Sequence, residues 1–153
     1  RLMLTVLSRY ANVDSSQNID SVSVGISIKN TETEINRLIA NDEIVIDTNV
    51  CKVLVNYPIK KKTFFLIQSE YKGFTKGQLA LEISKIYHHI YSAEQDAIDS
   101  LPEEKRKKLI NRENKGDGKY EIWGHDIDDL YLIGAEVKRN KSRCIYLNLQ
   151  IDS

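Results

Sequence analysis

One short stretch near the C-terminal end holds the residues of this chain whose types and spacing could carry chemistry. It reads Tyr-Glu-Ile-Trp-Gly-His-Asp-Ile-Asp-Asp-Leu-Tyr-Leu over residues 120–132, and it contains the only tryptophan and one of three histidines. His125, Asp126 and Asp129 would offer a metal ion one imidazole and two carboxylates, a ligand set that suits hard or borderline divalent ions. A carboxylate could equally orient His125 as a general base. The stretch is therefore a candidate site for metal-dependent hydrolysis, including nuclease activity.

Other interpretations of the same stretch need no reaction. Gly124 could form a tight turn that a neighbouring aspartate caps, with Trp123 and His125 packed beneath it. A buried indole N–H bonded to a histidine–aspartate pair would likewise lock the loop in place. The stretch could also form a binding surface together with Arg139 and Arg143, since tryptophan and arginine are enriched in protein interfaces. The further partner residues that catalysis needs are missing from the sequence pattern, so no cofactor is predicted.

Basic residues are concentrated in three segments that could contact phosphates. These are residues 60–62, residues 138–143, and the run Lys105, Arg106, Lys107 and Lys108. They predict a nucleic-acid-binding module only if the fold brings them to one face. Aromatic residues that would stack on bases are not interleaved with them. Neither a phosphate-loop nor a dinucleotide-binding glycine motif occurs in the sequence.

The composition is that of a soluble globular protein large enough for one domain. The chain has 153 residues, of which 41% are hydrophobic and 29% charged, and its 22 basic and 22 acidic residues cancel. The sequence has no apolar run of membrane-spanning length and no secretory signal, so no membrane partner is predicted. Cys51 and Cys144 lie in apolar, strand-like runs without metal-site spacing, which predicts buried free thiols in a reducing, cytoplasmic compartment.

The spacing of apolar residues predicts an α+β fold around this candidate site. Strict alternation over residues 21–28 is typical of a half-buried strand of an antiparallel sheet. Further strands are predicted at residues 2–10, 43–46, 50–57 and 63–69, and residues 130–137 and 143–151 form a hairpin around a basic turn. Residues 11–20 read as a loop. We therefore expect an antiparallel sheet of about five or six strands, with one long helix packed on it and one or two short helices.

Three helices are indicated by capping patterns. The longest runs from Thr75 to Ser100, begins with a capping box to Gln78 and carries one apolar stripe (Leu79, Ile83, Ile86, Ile90, Ala93 and Ala97). Thr31 and Glu34 predict a capping box for a short helix with Ile35, Leu38 and Ile39 on one face. Ser100 and Pro102 predict the start of a charged second helix that ends near Ile110. On the long helix, His88 should face solvent and His89 should lie beside the apolar stripe.

Several segments occur in the order typical of one protein family. They are Asn56-Tyr-Pro58, Gly73-Phe-Thr75, Tyr87, Ile90-Tyr91, Asn111-Arg112, Gly118 and the Ile-Trp-Gly-His-Asp core of residues 122–126 followed by Asp129-Leu130. Over roughly residues 50–153 the chain resembles a family of giant DNA viruses of protists, with related proteins in some algae, that has no established activity. This family more often has Gly at the position of Glu121 and Gly or Glu near Ile133. The resemblance implies a shared fold, with Trp123, His125, Asp126 and Asp129 as signature positions.

These observations predict a single domain over residues 1–153, in which residues 1–49 add protein-specific strands and a short helix to a family-like core at 50–153. The predicted function is a non-enzymatic accessory module that binds another macromolecule, above all a protein, in the host cytoplasm or a viral factory. Its contact edge would comprise Trp123, His125, Asp126, Asp129, Arg139 and Arg143. Two alternatives stay open: a metal-dependent hydrolase or nuclease, and a nucleic-acid-binding module that uses the basic segments.

Overall fold

The computed structural model describes residues 4–6, 17–105, 120–139 and 144–153, and it has the predicted α+β fold. Short 3-10 helices lie at Ile35–Arg37, Glu103–Lys105 and Ile127–Asp129. The strands are β1 (Leu4–Val6), β2 (Gln17–Ser27), β3 (Ile44–Ile46), β4 (Val50–Val55), β5 (Thr63–Gln68), β6 (Phe74–Thr75), β7 (Tyr131–Arg139) and β8 (Ile145–Asp152). The helices are α1 (Thr31–Glu34) and α2 (Lys76–Asp99).

Six of the strands form one sheet in the order β1-β5-β4-β8-β7-β2, and β3 and β6 form a separate two-stranded sheet. All neighbours in the large sheet are antiparallel except β4 and β8, in which Lys52 lies opposite Tyr146 and Leu54 opposite Asn148. The sequence predicted only antiparallel pairing. The parallel pair arises because α2 carries the chain across the sheet before β7 and β8 form their hairpin, and a parallel pair requires such a crossover.

The first 49 residues supply both edge strands of the large sheet, β1 on one side and β2 on the other. Residues 50–153 supply the four strands between these edges. Both parts share one hydrophobic core, which extends along the chain from Val22 to Leu149.

Helix α2 covers one face of the sheet, and its start is the predicted capping box. The Thr75 hydroxyl accepts a hydrogen bond from the Gln78 amide at 3.1 Å, and the Gln78 side chain accepts one from the Thr75 amide at 2.8 Å. Leu79, Ile83, Ile86 and Ile90 are buried against the sheet, while His88 is exposed as predicted. The apolar stripe therefore holds α2 along the sheet, where its side chains reach the loops at one end of the strands.

The short helix departs from its prediction. It begins at Thr31, but Asn30 is its N-cap, and the buried Thr31 hydroxyl donates to the carbonyl oxygens of Ser27 and Ile28 instead of capping. Ile39 was predicted to lie on the apolar face with Ile35 and is 85% exposed. The reason is that the chain becomes extended at Leu38, so the helical period does not reach Ile39.

Other boundaries also differ from the sequence prediction. β2 begins at Gln17, inside the predicted loop. Ser100 is the C-cap of α2 and its hydroxyl donates to the Ala97 carbonyl, so it does not start a second helix. Beyond the turn at Glu103–Lys105, the rest of that predicted helix, the polar loop up to residue 119 and the basic turn at residues 140–143 lie outside the described residues.

The two cysteines have different environments, which corrects the prediction that both are buried. Cys51 is a buried free thiol, so the two do not form a disulfide with each other, whereas Cys144 is exposed. Burial raises the pKa of the Cys51 thiol to about 12. No helix in the described part of the chain is long and apolar enough to span a membrane.

Candidate functional site

The segment at residues 120–123 is held in place by pairing with residues 58–61, just beyond the end of β4. Ile59 and Ile122 form an antiparallel bridge, and the Trp123 amide donates to the Pro58 carbonyl at 3.0 Å. Ile122 is fully buried, whereas Trp123 is half-buried at the surface. This pairing places the Trp123 ring beside Tyr57.

Tyr57, Trp123 and His125 form a compact group of three rings, here called the aromatic triangle. The Tyr57 and Trp123 ring centroids are 6.1 Å apart with an interplanar angle of 86°. The His125 ring centroid lies 5.7 Å from that of Tyr57 and 6.1 Å from that of Trp123. All three residues are half-buried, so the triangle is packed on one side and reaches solvent on the other.

Three side chains of α2 anchor the backbone of the triangle and of the segment that leads into Trp123. The Tyr87 hydroxyl donates to the Tyr57 carbonyl at 2.6 Å, and the Tyr91 hydroxyl donates to the His125 carbonyl at 2.8 Å. The fully buried Glu94 accepts a hydrogen bond from the Tyr120 amide at 2.7 Å. The triangle is therefore tied to the most regular element of the fold.

The Tyr91 anchor keeps its proton. Burial chiefly, and then the negative charges of Asp126 and Asp129, raise the pKa of the Tyr91 hydroxyl above its ordinary value. A phenol in these surroundings stays neutral, so it remains a hydrogen-bond donor. The His125 backbone is consequently fixed by a bond that the neighbouring carboxylates help to preserve.

The predicted carboxylates Asp126 and Asp129 form a capping box at the start of the 3-10 helix Ile127–Asp129. Asp126 accepts from the Ile127 amide at 2.8 Å, and Asp129 Oδ2 accepts from the Asp126 amide at 3.1 Å. Asp128 pairs instead with Lys29 on the neighbouring chain segment. The acidic cluster therefore shapes the loop that carries His125, although Asp126 caps the 3-10 helix that follows and not the Gly124 turn that the sequence predicted.

The arrangement offers little to a metal ion. In the described part of the chain, which includes His125, Asp126 and Asp129, no three histidine, cysteine or acidic side chains are grouped so that they could hold one. Asp126 and Asp129 each use an oxygen in the capping box, which turns that oxygen toward the backbone. The hydrolase or nuclease alternative thus gains no support from the positions of its proposed ligands.

The hydroxyl of Ser153 also reaches the triangle. It lies 2.7 Å from the Tyr57 hydroxyl and 3.4 Å from His125 Nε2. Asp129 Oδ2 lies 3.9 Å from His125 Nδ1. Ser153, His125 and Asp129 therefore follow one another in space like the nucleophile, the base and the orienting acid of a catalytic triad. The last distance exceeds a hydrogen bond, and the same oxygen already accepts from the Asp126 amide. Asp129 therefore does not orient His125 as it would a general base.

Lys60 places a positive charge on the triangle. Its Nζ lies over the Trp123 ring, 5.8 Å from the centroid, within the range of a cation–π contact. Sequence reasoning missed Lys60, Ser153 and Tyr57 as site residues. In the sequence, Lys60 is only part of a basic segment, Ser153 carries no local signal, and Tyr57 stands out only through the family resemblance. Because these residues are far from Trp123 in the sequence, local sequence patterns do not show that they cluster with it.

Arg139 lies at the far end of β7 from the triangle, so it does not join the aromatic cluster, and the predicted contact edge stays a prediction. Tyr131 follows the Trp123 loop directly, and Arg139 ends the same strand eight residues later. At about 3.4 Å per residue, the two ends of β7 are about 27 Å apart. Arg139 there lines a shallow hollow together with Ile19 and Ile44.

The described residues of two of the basic segments, at 60–62 and 138–139, lie at opposite ends of the sheet. Lys60 and Lys61 lie at the triangle end of the sheet, while Lys138 lies near the opposite end of β7. Lys105 closes a 3-10 helix, and Arg106, Lys107, Lys108 and Arg143 are outside the described residues. The nucleic-acid alternative is therefore supported by none of the described positions.

Comparison with protein-family models, with curated proteins and with solved structures finds no match for this chain. The resemblance to the giant-virus family accordingly stays a prediction from the sequence. The geometry of the aromatic triangle is what a functional proposal has to rest on.

Proposed function

We propose that this chain is a non-enzymatic module that binds another protein, with the aromatic triangle at the centre of its contact surface. The observation that carries the proposal is the group of three half-exposed rings within about 6 Å of one another, two of which, Tyr57 and His125, are fixed to α2 through their backbone carbonyls. Tryptophan and tyrosine are the residues that most often dominate the energy of protein interfaces.

The anchoring explains why such a surface would bind well. Ordering one flexible side chain at an interface costs about 0.5–1.5 kcal/mol, and this cost is subtracted from the affinity. The Trp123 ring already contacts Tyr57 and His125, and its amide is bonded to Pro58. A partner would therefore meet rings that are largely ordered before binding.

The biological setting of the proposal comes from the sequence alone. The resemblance to proteins of giant DNA viruses favours a viral or protist accessory role in the cytoplasm or a viral factory. A protist lysate is for this reason the natural source in which to look for the partner.

The test is affinity capture from a protist lysate treated with nuclease, using the wild-type chain, Trp123→Ala and Tyr71→Ala as baits. Tyr71 is 68% exposed and lies beyond β5, at the opposite end of the sheet, so it is a matched control for loss of an exposed aromatic ring. We expect a protein that is retained by wild type and by Tyr71→Ala and lost with Trp123→Ala. Thermal melting of all three baits establishes that each is folded.

Equal recovery of every captured protein by the wild-type and Trp123→Ala baits would refute the proposal. Recovery that disappears with nuclease would instead favour the nucleic-acid alternative. A melting temperature that rises with a divalent ion, and does not rise in Asp126→Asn, would favour the metal-dependent alternative.

A further inference from the structure

The strongest additional feature of the site is the cation that it already contains. The Lys60 ammonium group lies over the Trp123 ring, although Lys60 itself is an exposed residue on the paired segment. A positive charge on an aromatic face is attracted by the negative potential above the ring. The face of Trp123 that Lys60 covers is thus one that can hold a positively charged group.

Negative charge borders the His125 ring of the triangle. Asp129 Oδ2 lies 3.9 Å from His125 Nδ1, and the Asp129 side chain is 51% exposed. Asp126 is half-buried in the same loop, and both carboxylates use backbone amides rather than cationic side chains as their capping partners. Asp129 thus adds negative charge on the His125 side of the triangle, Lys29 lies near Asp126 and pairs with Asp128, and Lys60 is the cation over the Trp123 ring in the free protein.

From these two observations we infer that the partner's contacting group is a lysine side chain, which takes the place of Lys60 on the aromatic triangle. This inference rests on the proposed function and gives the chemistry of its partner. Lys60 acts as a built-in competitor that covers the ring until a partner's ammonium group displaces it. Removing the competitor should strengthen binding, which a purely structural role for Lys60 would not produce.

Fluorescence of Trp123 is a direct readout, because Trp123 is the only tryptophan in the chain. The probes are a capped Gly-Gly-Lys-Gly-Gly peptide, its trimethyllysine form, and the same peptide with uncharged norleucine in place of lysine. Ionic strength is held constant with potassium chloride. We expect a saturable change with both cationic peptides and an affinity at least about two- to fivefold higher than for the norleucine peptide, the range expected for one exposed cation–π contact.

Three variants at the site and one control variant away from it test the inference. Lys60→Met should raise the affinity for the cationic peptides about two- to fivefold. Lys72→Met removes the same charge from an exposed position at the other end of the sheet and should leave the affinity unchanged. Tyr57→Leu should weaken binding, and because Trp123→Leu removes the fluorophore, its binding is followed through the NMR signal of the trimethylammonium methyl groups.

Equal affinities for the lysine and norleucine peptides would overturn the inference, as would weaker or unchanged binding in Lys60→Met. The outcome of the peptide-binding experiment can be distinguished from the outcome of the capture experiment. If a Trp123-dependent protein is captured but the cationic peptides do not bind, the module binds its partner through other chemistry and the lysine inference fails. If the peptides bind and nothing is captured, the cation site stands and the proposed function fails.

Discussion

At the scale of single residues, the most consequential contacts are two tyrosine hydroxyls that α2 directs at the backbone of the aromatic triangle. Tyr87 bonds the Tyr57 carbonyl and Tyr91 bonds the His125 carbonyl. The sequence indicates only that both tyrosines lie near the apolar stripe of the helix. Their hydroxyl partners lie 30 and 34 residues away in the chain, so local periodicity cannot identify them.

Replacing Tyr91 with phenylalanine tests this anchoring. The ring still fills its place in the core, but the His125 carbonyl loses its donor, and we expect a loss of about 1–2 kcal/mol in the free energy of unfolding. The urea midpoint measures the change. Tyr71→Phe is the control, since Tyr71 is largely exposed and its loss of a hydroxyl should stay within about 0.5 kcal/mol. Coinciding midpoints for the two variants would show that the Tyr91 bond does not stabilise the fold.

At the scale of elements, the packing of β2 against β7 depends on a glycine. The pairing of β2 with β7 changes register between Ser23 and Ile26 of β2. The pairing of β7 with β8 changes register between Leu132 and Gly134 of β7. A Cβ atom on Gly134 would lie 2.2 Å from the Val22 carbonyl oxygen, a backbone atom that cannot yield without moving the strand. Glycine inside a strand is the sequence signal for such close backbone approach.

We therefore expect Gly134→Ala to separate β2 from β7 locally. The cost should be about 2–3 kcal/mol, as for other overpacked sites, with faster hydrogen exchange at the β2 amides. Ser23→Ala is the matched control, because Ser23 lies opposite Gly134 and is exposed. Unchanged exchange along β2 in Gly134→Ala would show that the sheet accommodates the added methyl group elsewhere.

The sequence predicted some elements much better than others, for physical reasons. Helix α2 was predicted within a residue of its ends, because its cap and its apolar period are local properties. The parallel pairing of β4 with β8 was not foreseen, since alternation identifies a strand but not its neighbours. For the same reason residues 120–132 were recognised as a candidate site, while Lys60 and Ser153, which complete it in space, were not.

At the scale of the whole molecule, one buried carboxylate makes stability depend on pH. Glu82 is 2% exposed on α2 and pairs with the exposed Lys85 at 3.0 Å. Burial raises the pKa of the Glu82 carboxyl above 4.5, and Lys85 only partly opposes this effect. The folded chain therefore holds the Glu82 proton more tightly than the unfolded chain does.

It follows that the free energy of unfolding contains a Glu82 contribution that is fully present below about pH 4.5. This contribution is lost as the pH rises through the raised pKa of the folded state. The Glu82→Gln variant lacks this titrating group. Its free energy of unfolding should therefore fall less than that of wild type between pH 4.5 and neutral pH. Urea unfolding across this range measures the difference, with the exposed Glu32→Gln as control. Parallel pH profiles for wild type and Glu82→Gln would show that Glu82 does not set this dependence.

The strand order has a consequence for how the chain folds during synthesis. The two central strands meet through residues 52–54 and 146–148, so the middle of the sheet joins segments more than 90 residues apart. Until residues 145–152 have been made, β4 has only β5 beside it, and its other edge is an open row of backbone donors and acceptors. Such long-range pairing slows folding, and open strand edges promote association between chains. The nascent chain should thus be most prone to aggregation just before β8 is added, when α2 is complete but the sheet beneath it is still in two halves.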